Sequence, residues 1–166
     1  MPFMLPNPRI LYAMMIAACA ALLAYAYWLQ LVVGLQPCPL CIFQRIALIA
    51  LTLVLLGAAL HGARGWGARV WALLIALAAG TGAAIAARHV WLQNLPPDQV
   101  PACGPGLDYL LEVLPAVDVL REVFTGSGEC AKVDWTLLGL SMPVWTLAAF
   151  VGFGAVGVWN ALRRRG

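Results

Sequence analysis

Cys38-Pro39-Leu40-Cys41-Ile42-Phe43-Gln44-Arg45 runs directly into Ile46, and no charged residue follows until after Leu60. A thiol pair therefore stands at the mouth of an apolar run. A run of ~20 apolar residues is what a helix needs to cross hydrocarbon. The segment at about 42–60 reads as such a span, and three more have the same character, at about 10–33, 70–87 and 142–162. The composition agrees. Of 166 residues, 63% are hydrophobic and 10% charged, and mean hydropathy is +0.89. A soluble domain carries roughly a quarter charged residues. The expectation is one all-α unit over 1–166, an integral membrane four-helix bundle whose partner is the lipid bilayer and not nucleic acid. Ala24-Tyr25-Ala26 resembles a small-x-small cleavage site, but the apolar run around it exceeds the ~7–15 residues of a signal peptide. The first span reads as an uncleaved anchor.

The net charge of +3 hides an asymmetry. Arg9, Arg64, Arg69, Arg163, Arg164 and Arg165 flank the spans on one side, with no acid among them. All seven acids lie between the third and fourth spans. Basic flanks mark the cytoplasmic face. Both termini are thus predicted to be cytoplasmic, with outer loops 34–41 and 93–135. Cys38, Cys41, Cys103 and Cys130 then share the outer side, where disulfides persist. Four cysteines allow three pairings, and the tight spacing of the first two favours pairing within each loop. Cys19 is left in the first span, as an inert buried thiol.

The second outer loop opens with Pro96, Pro97, Pro101 and Pro105. From Leu107 to Phe124 the pattern becomes helical, with Asp108, Glu112, Asp118 and Glu122 in one stripe. Pro115 should interrupt it. This predicts a short amphipathic helix lying along the membrane surface, apolar side down. Thr125 to Gly128 then forms a flexible approach to Cys130.

Within this frame the candidate chemistry is redox. Zinc takes four ligands, and only His61 and His89 are present, on opposite sides. Haem attachment needs a histidine after the second cysteine, where this chain has Ile42. C-x-x-C is a common redox arrangement. If Cys41 opens the helix, Arg45 lies at i+4, over its sulfur, where a cation and the helix N-terminus both favour the thiolate. The bland reading of Arg45 is a snorkelling interfacial arginine. Arg88 and His89 end the third span at the same depth. His89 reads as an interfacial anchor or as a donor to a carbonyl. Trp91, Trp135 and Trp145 read as belt aromatics. Taken alone, a bridge between Cys103 and Cys130 would be a structural staple of roughly 3–4 kcal/mol. Beside a redox C-x-x-C it becomes an exchange partner.

Gln36-Pro37-Cys38-Pro39-Leu40-Cys41 followed by Phe43-Gln44-Arg45 resembles the signature of the disulfide bond formation protein B (DsbB) family. So do Gly126-Ser127-Gly128-Glu129-Cys130-Ala131 with Trp135, and Leu138 to Trp145. The resemblance covers nearly the whole chain. It implies a thiol oxidase of the bacterial inner membrane that reoxidises a soluble periplasmic DsbA-like dithiol protein. Electrons would pass to the membrane quinone pool, as ubiquinone or menaquinone. In that scheme Cys103 takes the mixed disulfide with the partner, Cys130 attacks Cys38, and Cys41 faces the quinone, with Arg45, Gln44 and His89 nearby. Gly104-Pro105 after Cys103 departs from the family pattern and bears on how the partner docks. A DsbA-like partner near −120 mV is roughly 8 kcal/mol harder to oxidise than a structural disulfide near −300 mV, so a strong acceptor is required. Two other readings compete. A vitamin K epoxide reductase-like enzyme shares four spans but places its C-x-x-C late in the chain. A non-enzymatic scaffold with a stapled loop predicts bridges that never open.

Overall fold

The computed structural model describes residues 7–102 and 107–163. Cys103, Gly104 and Pro105 lie outside these residues. Four long helices carry the architecture: α1 (Pro8–Leu31), α2 (Pro39–His61), α3 (Trp66–Gln93) and a last helix at Met142–Leu162. Each is long and apolar enough to cross a membrane. Between α3 and the last helix lie three short helices, α4 (Leu107–Val113), α5 (Ala116–Thr125) and α6 (Gly128–Ala131), and two strands, β1 (Thr136–Leu137) and β2 (Leu140–Ser141). The last helix is therefore α7.

Local chemistry sets the helix starts. Asn7 caps α1, its Oδ1 accepting from the Arg9 N–H at 3.1 Å, with proline at the next position. Cys38 caps α2 in the same way, its Sγ accepting from the Cys41 N–H at 3.3 Å. Proline suits the first helical position, because its missing N–H has no intrahelical partner there in any case. So α2 opens at Pro39, three residues before the predicted span, and Cys41 falls within its first turn. α3 runs on to Gln93, beyond the predicted 87, so Arg88 and His89 sit on a rigid helix.

α3 is central and packs on α2 and α7. Small residues allow close approach, as in membrane bundles generally. The Phe150 ring lies against the Cα of Gly82, where any Cβ would clash, and Gly157 faces Ile75 in the same way. Leu51, Leu55, Ile75 and Phe150 are completely buried. The outward positions are equally apolar: Leu53, Leu60, Leu77 and Val151 are all more than half exposed. A fold apolar inside and out is matched to hydrocarbon rather than water.

The interruption expected at Pro115 separates α4 from α5. Leu110, Val119 and Val123 are buried, while Val117, Leu120 and Phe124 remain exposed. Of the acidic stripe, Glu112 and Asp118 are exposed, and the side chains of Asp108 and Glu122 lie outside those described. The all-α expectation needs one addition. Leu138 (φ 53°) and Gly139 (φ 78°) form a left-handed turn that closes the β1–β2 hairpin, pairing Thr136 with Ser141. Positive φ at two central residues is the geometry of a tight hairpin. Gly139 was its visible signal, and Leu138 concealed it.

Candidate functional site

The cysteines converge at the end of the bundle where α2 begins and α3 ends. Cys38 and Cys41 lie on one turn, their sulfurs 2.9 Å apart. The third sulfur comes from far along the chain. Cys130, on α6, is buried and stands within hydrogen-bonding reach of Cys38. Pairing within each loop is therefore not the only arrangement open to these thiols. Cys38, Cys41, Cys130 and Cys19 are free, and Cys19 is fully buried in the core.

Cys38 is flanked by two sulfurs and holds its proton. Its hydrogen bond to Cys130, then that to Cys41, then burial, push its pKa far above that of an ordinary thiol. Cys130 receives the opposite effect. The bond from Cys38, helped by Leu40 and Ser127, outweighs burial and holds its pKa down to about 6. Cys130 is thus biased toward the thiolate, beside a neighbour that retains its proton.

His89 is the hub of the polar contacts. It is buried on α3. Its Nε2 lies 3.0 Å from the Cys130 carbonyl and 3.8 Å from the Cys38 sulfur. Its Nδ1 lies 3.0 Å from the amide nitrogen of Gln44, which is also buried. A carbonyl only accepts, so Nε2 carries a hydrogen. The Gln44 amide can donate to a neutral ring or, turned over, accept from a charged one. The ring can therefore carry one proton or two without losing either contact. The ligand atoms of Cys38, Cys41 and His89 lie within 4.8 Å of one another, close enough for a metal ion. The committed Nε2–H leaves no lone pair in that direction, which favours a hydrogen-bonded thiol site.

The placement of Arg45 corrects the sequence reading. Its guanidinium does not stand over Cys41. It donates to the Gln30 side chain and, at 3.0 Å, to the Ala26 carbonyl, and lies 5.0 Å from the centre of the Tyr27 ring. All three partners belong to α1. An arginine at this depth takes the nearest acceptors, here the Gln30 amide oxygen and the second lone pair of the Ala26 carbonyl. Gln30 was legible as a polar residue near the end of a span, but its partner was not.

Arg45 nevertheless shares a cavity with the thiols. A space of about 600 Å³ is lined by Cys38, Cys41, Gln44, Arg45 and His89 at one end and by apolar side chains such as Leu48 and Phe150 elsewhere. Trp135 and Trp145 line it too. They are not simple belt residues. Trp135 packs edge-on to Tyr25 at 6.0 Å, and the Trp145 indole N–H donates to the Leu137 carbonyl at 3.2 Å. A cavity with an apolar body and a few convergent donors is the usual form of an organic ligand site.

Sequence reading missed Gln93. One turn beyond His89, it donates to the Lys132 carbonyl at 3.3 Å and accepts from the Ser141 hydroxyl at 2.6 Å. It thereby ties the segment after Cys130 to the start of α7. Its spacing of four from His89 was the available signal.

The family model described as "Disulfide bond formation protein DsbB" matches residues 8–160. Proteins named "Disulfide bond formation protein B" are similar over nearly the full length. That of Methylococcus capsulatus is 51% identical, covering 96% of this chain and 99% of its own. That of Hahella chejuensis is 52% identical, covering 99% of both. That of Nitrosococcus oceani is 51% identical, covering 89% and 88%.

Proposed function

Because the chain belongs to the DsbB family of disulfide bond formation proteins, a multi-pass membrane group of disulfide oxidoreductases, we propose that it oxidises a soluble periplasmic dithiol protein of the DsbA type and delivers the electrons to a membrane quinone. The membrane is the bacterial inner membrane, with the cysteine end of the bundle facing the periplasm. The observation that carries the reading is Cys130 held against Cys38, which lines a large, mostly apolar cavity.

The cavity suits a quinone. It offers an apolar body for a ring and tail, donors at Arg45, Gln44 and His89 for ring carbonyls, and a thiol beside them. Ubiquinone and menaquinone share that chemistry. A bound quinone supplies a two-electron, two-proton acceptor for the Cys38–Cys41 dithiol.

The protein's own steps are thiol exchanges. Cys103 accepts the partner's thiolate, the Cys103–Cys130 bond breaks, and Cys130 is released as a thiolate. Cys130 then attacks Cys38, so the Cys38–Cys130 bond forms and the Cys38–Cys41 bond breaks. Cys41 leaves as the thiolate that faces the cavity. The partner's second thiol then displaces Cys103, and the Cys103 thiolate retakes Cys130 and frees Cys38. This leaves the Cys38–Cys41 dithiol to be reoxidised. Beside Cys41, His89 stands within the same 4.8 Å cluster and is held by Gln44 at Nδ1.

The test is turnover in mild detergent with a reduced DsbA-type protein and a short-chain ubiquinone. One disulfide should form for each quinone reduced, and a partner lacking its second thiol should be trapped on Cys103 of the intact chain, with Cys130 released. A protein that exchanges disulfides but never consumes quinone would sink the reading, as would normal turnover by Cys103→Ser.

A further inference from the structure

Four carbonyls along the Cys130 segment are held by side chains from one end of α3, and the contacts run in register. Arg88 donates from Nε to the Phe124 carbonyl and from a terminal nitrogen to the Thr125 carbonyl, both at 3.0 Å. Leu92 packs against Gly126, whose φ of +87° and tight contact leave no room for a side chain. His89 takes the Cys130 carbonyl and Gln93 that of Lys132. Residues 88, 89, 92 and 93 share one face of a helix.

Arg88 occupies the first place in this ladder. Phe124 and Thr125 end α5, where helix carbonyls lack intrahelical partners and the dipole is negative. A planar guanidinium can satisfy two such carbonyls at once. It lies over the Trp91 ring, 4.1 Å from its centre, which restricts its other motions. Immediately beyond lies Gly126-Ser127-Gly128, and then Cys130.

We propose that Arg88 is a positioning residue for thiol transfer: by clamping the end of α5 it fixes the pivot from which Cys130 is delivered to Cys38. The role rests on the exchange scheme above, in which Cys130 must leave one disulfide and form another. A fixed pivot raises the effective concentration of Cys130 at Cys38. It has no bearing on the Cys38–Cys41 bond, which closes within one turn of α2.

The test uses the full chain in two backgrounds and needs neither quinone nor protein partner. Cys41→Ser with Cys103→Ser leaves Cys38 and Cys130 to pair. Cys103→Ser with Cys130→Ser leaves Cys38 and Cys41. Each is equilibrated in glutathione buffers, where one glutathione disulfide is reduced to two thiols for each protein disulfide formed. Arg88→Ala should lower the equilibrium constant for the Cys38–Cys130 bond by about tenfold, the scale of exposed charged hydrogen bonds. It should leave that for Cys38–Cys41 unchanged. Arg88→Lys should fall between, since one ammonium lacks the fork. An unchanged Cys38–Cys130 constant would overturn the proposal. So would an equal fall in both backgrounds, which would make Arg88 merely structural. Loss of quinone turnover in the wild type would bear on the function proposed above and not on this result.

Discussion

The Nε2 of His89 lies 3.0 Å from the carbonyl oxygen of Cys130. That bond joins a transmembrane helix to the loop that carries the Cys130 thiol. The same ring faces Cys38 and Gln44, so one side chain sets the spacing of two cysteines and a buried amide.

Replacing that ring should loosen all three. His89→Ala leaves the Gln44 amide and the Cys130 carbonyl buried without a partner, a loss of about 1–3 kcal/mol each when no water enters. A lower thermal midpoint and slower formation of the Cys38–Cys130 disulfide should appear together. His89→Gln restores a donor and should recover part of both. A His89→Ala protein that matches wild type in midpoint and rate would make the contact incidental.

The Cys130 thiol should titrate well below an ordinary cysteine. Its pKa is held to about 6, so the thiolate is present above that value and is lost as pH falls through it. In the reduced protein, alkylation of Cys130 by a small reagent should level off above pH 7 and decline below about pH 6. Cys38→Ala removes the largest cause and should move the midpoint up. A midpoint near 9 with Cys38 intact would refute the hydrogen-bond assignment.

Arg45 should act on the cavity ligand rather than on the thiols. Arg45→Ala should raise the apparent KM for quinone, with Arg45→Lys milder because the fork is lost but the charge kept. Gln30→Leu removes one of the acceptors that hold the guanidinium and should raise the KM in the same direction by less. Reduction of the Cys38–Cys41 disulfide by a small dithiol should be unaffected. Quinone kinetics in Arg45→Ala equal to wild type would leave Arg45 as an anchor to α1 alone.

Gly82 should not tolerate a side chain. The Phe150 ring occupies the place of a Cβ, and Phe150 also lines the cavity. Gly82→Val must push helix α7 away or turn the ring into the cavity, at about 1–3 kcal/mol for overpacking. Detergent stability should fall and quinone KM should rise. Gly80→Ala, two residues earlier with open space around it, should be neutral on both counts, which separates packing from helix propensity.

Orientation can be read in intact cells. After mild reduction, Cys130 and the Cys38–Cys41 pair should react with a thiol reagent that cannot cross the membrane, while Cys19 should not. Labelling that appears only after lysis would reverse the topology inferred from the six basic flanks.

The sequence by itself determined the four spans, the common end of Cys38, Cys41 and Cys130 and the break at Pro115. Hydropathy, charge asymmetry and proline geometry are properties of neighbouring residues, and they need no fold to act. It also placed Cys38 and Cys41 at a helix mouth, although the helix start at Pro39 emerged only with the Cys38 cap. Which groups meet was decided by tertiary structure. Periodicity put Arg45 over Cys41, yet the guanidinium donates to α1, because the Gln30 side chain and the Ala26 carbonyl satisfy a partly buried charge better than a thiol does. Spacing paired Cys130 with its own loop, yet it lies against Cys38, and Cys103 falls outside the described residues. The ladder from Arg88 to Gln93 joins residues more than thirty positions apart. Contacts at such separation depend on how α3 packs in the bundle, and no local pattern along the chain records that packing.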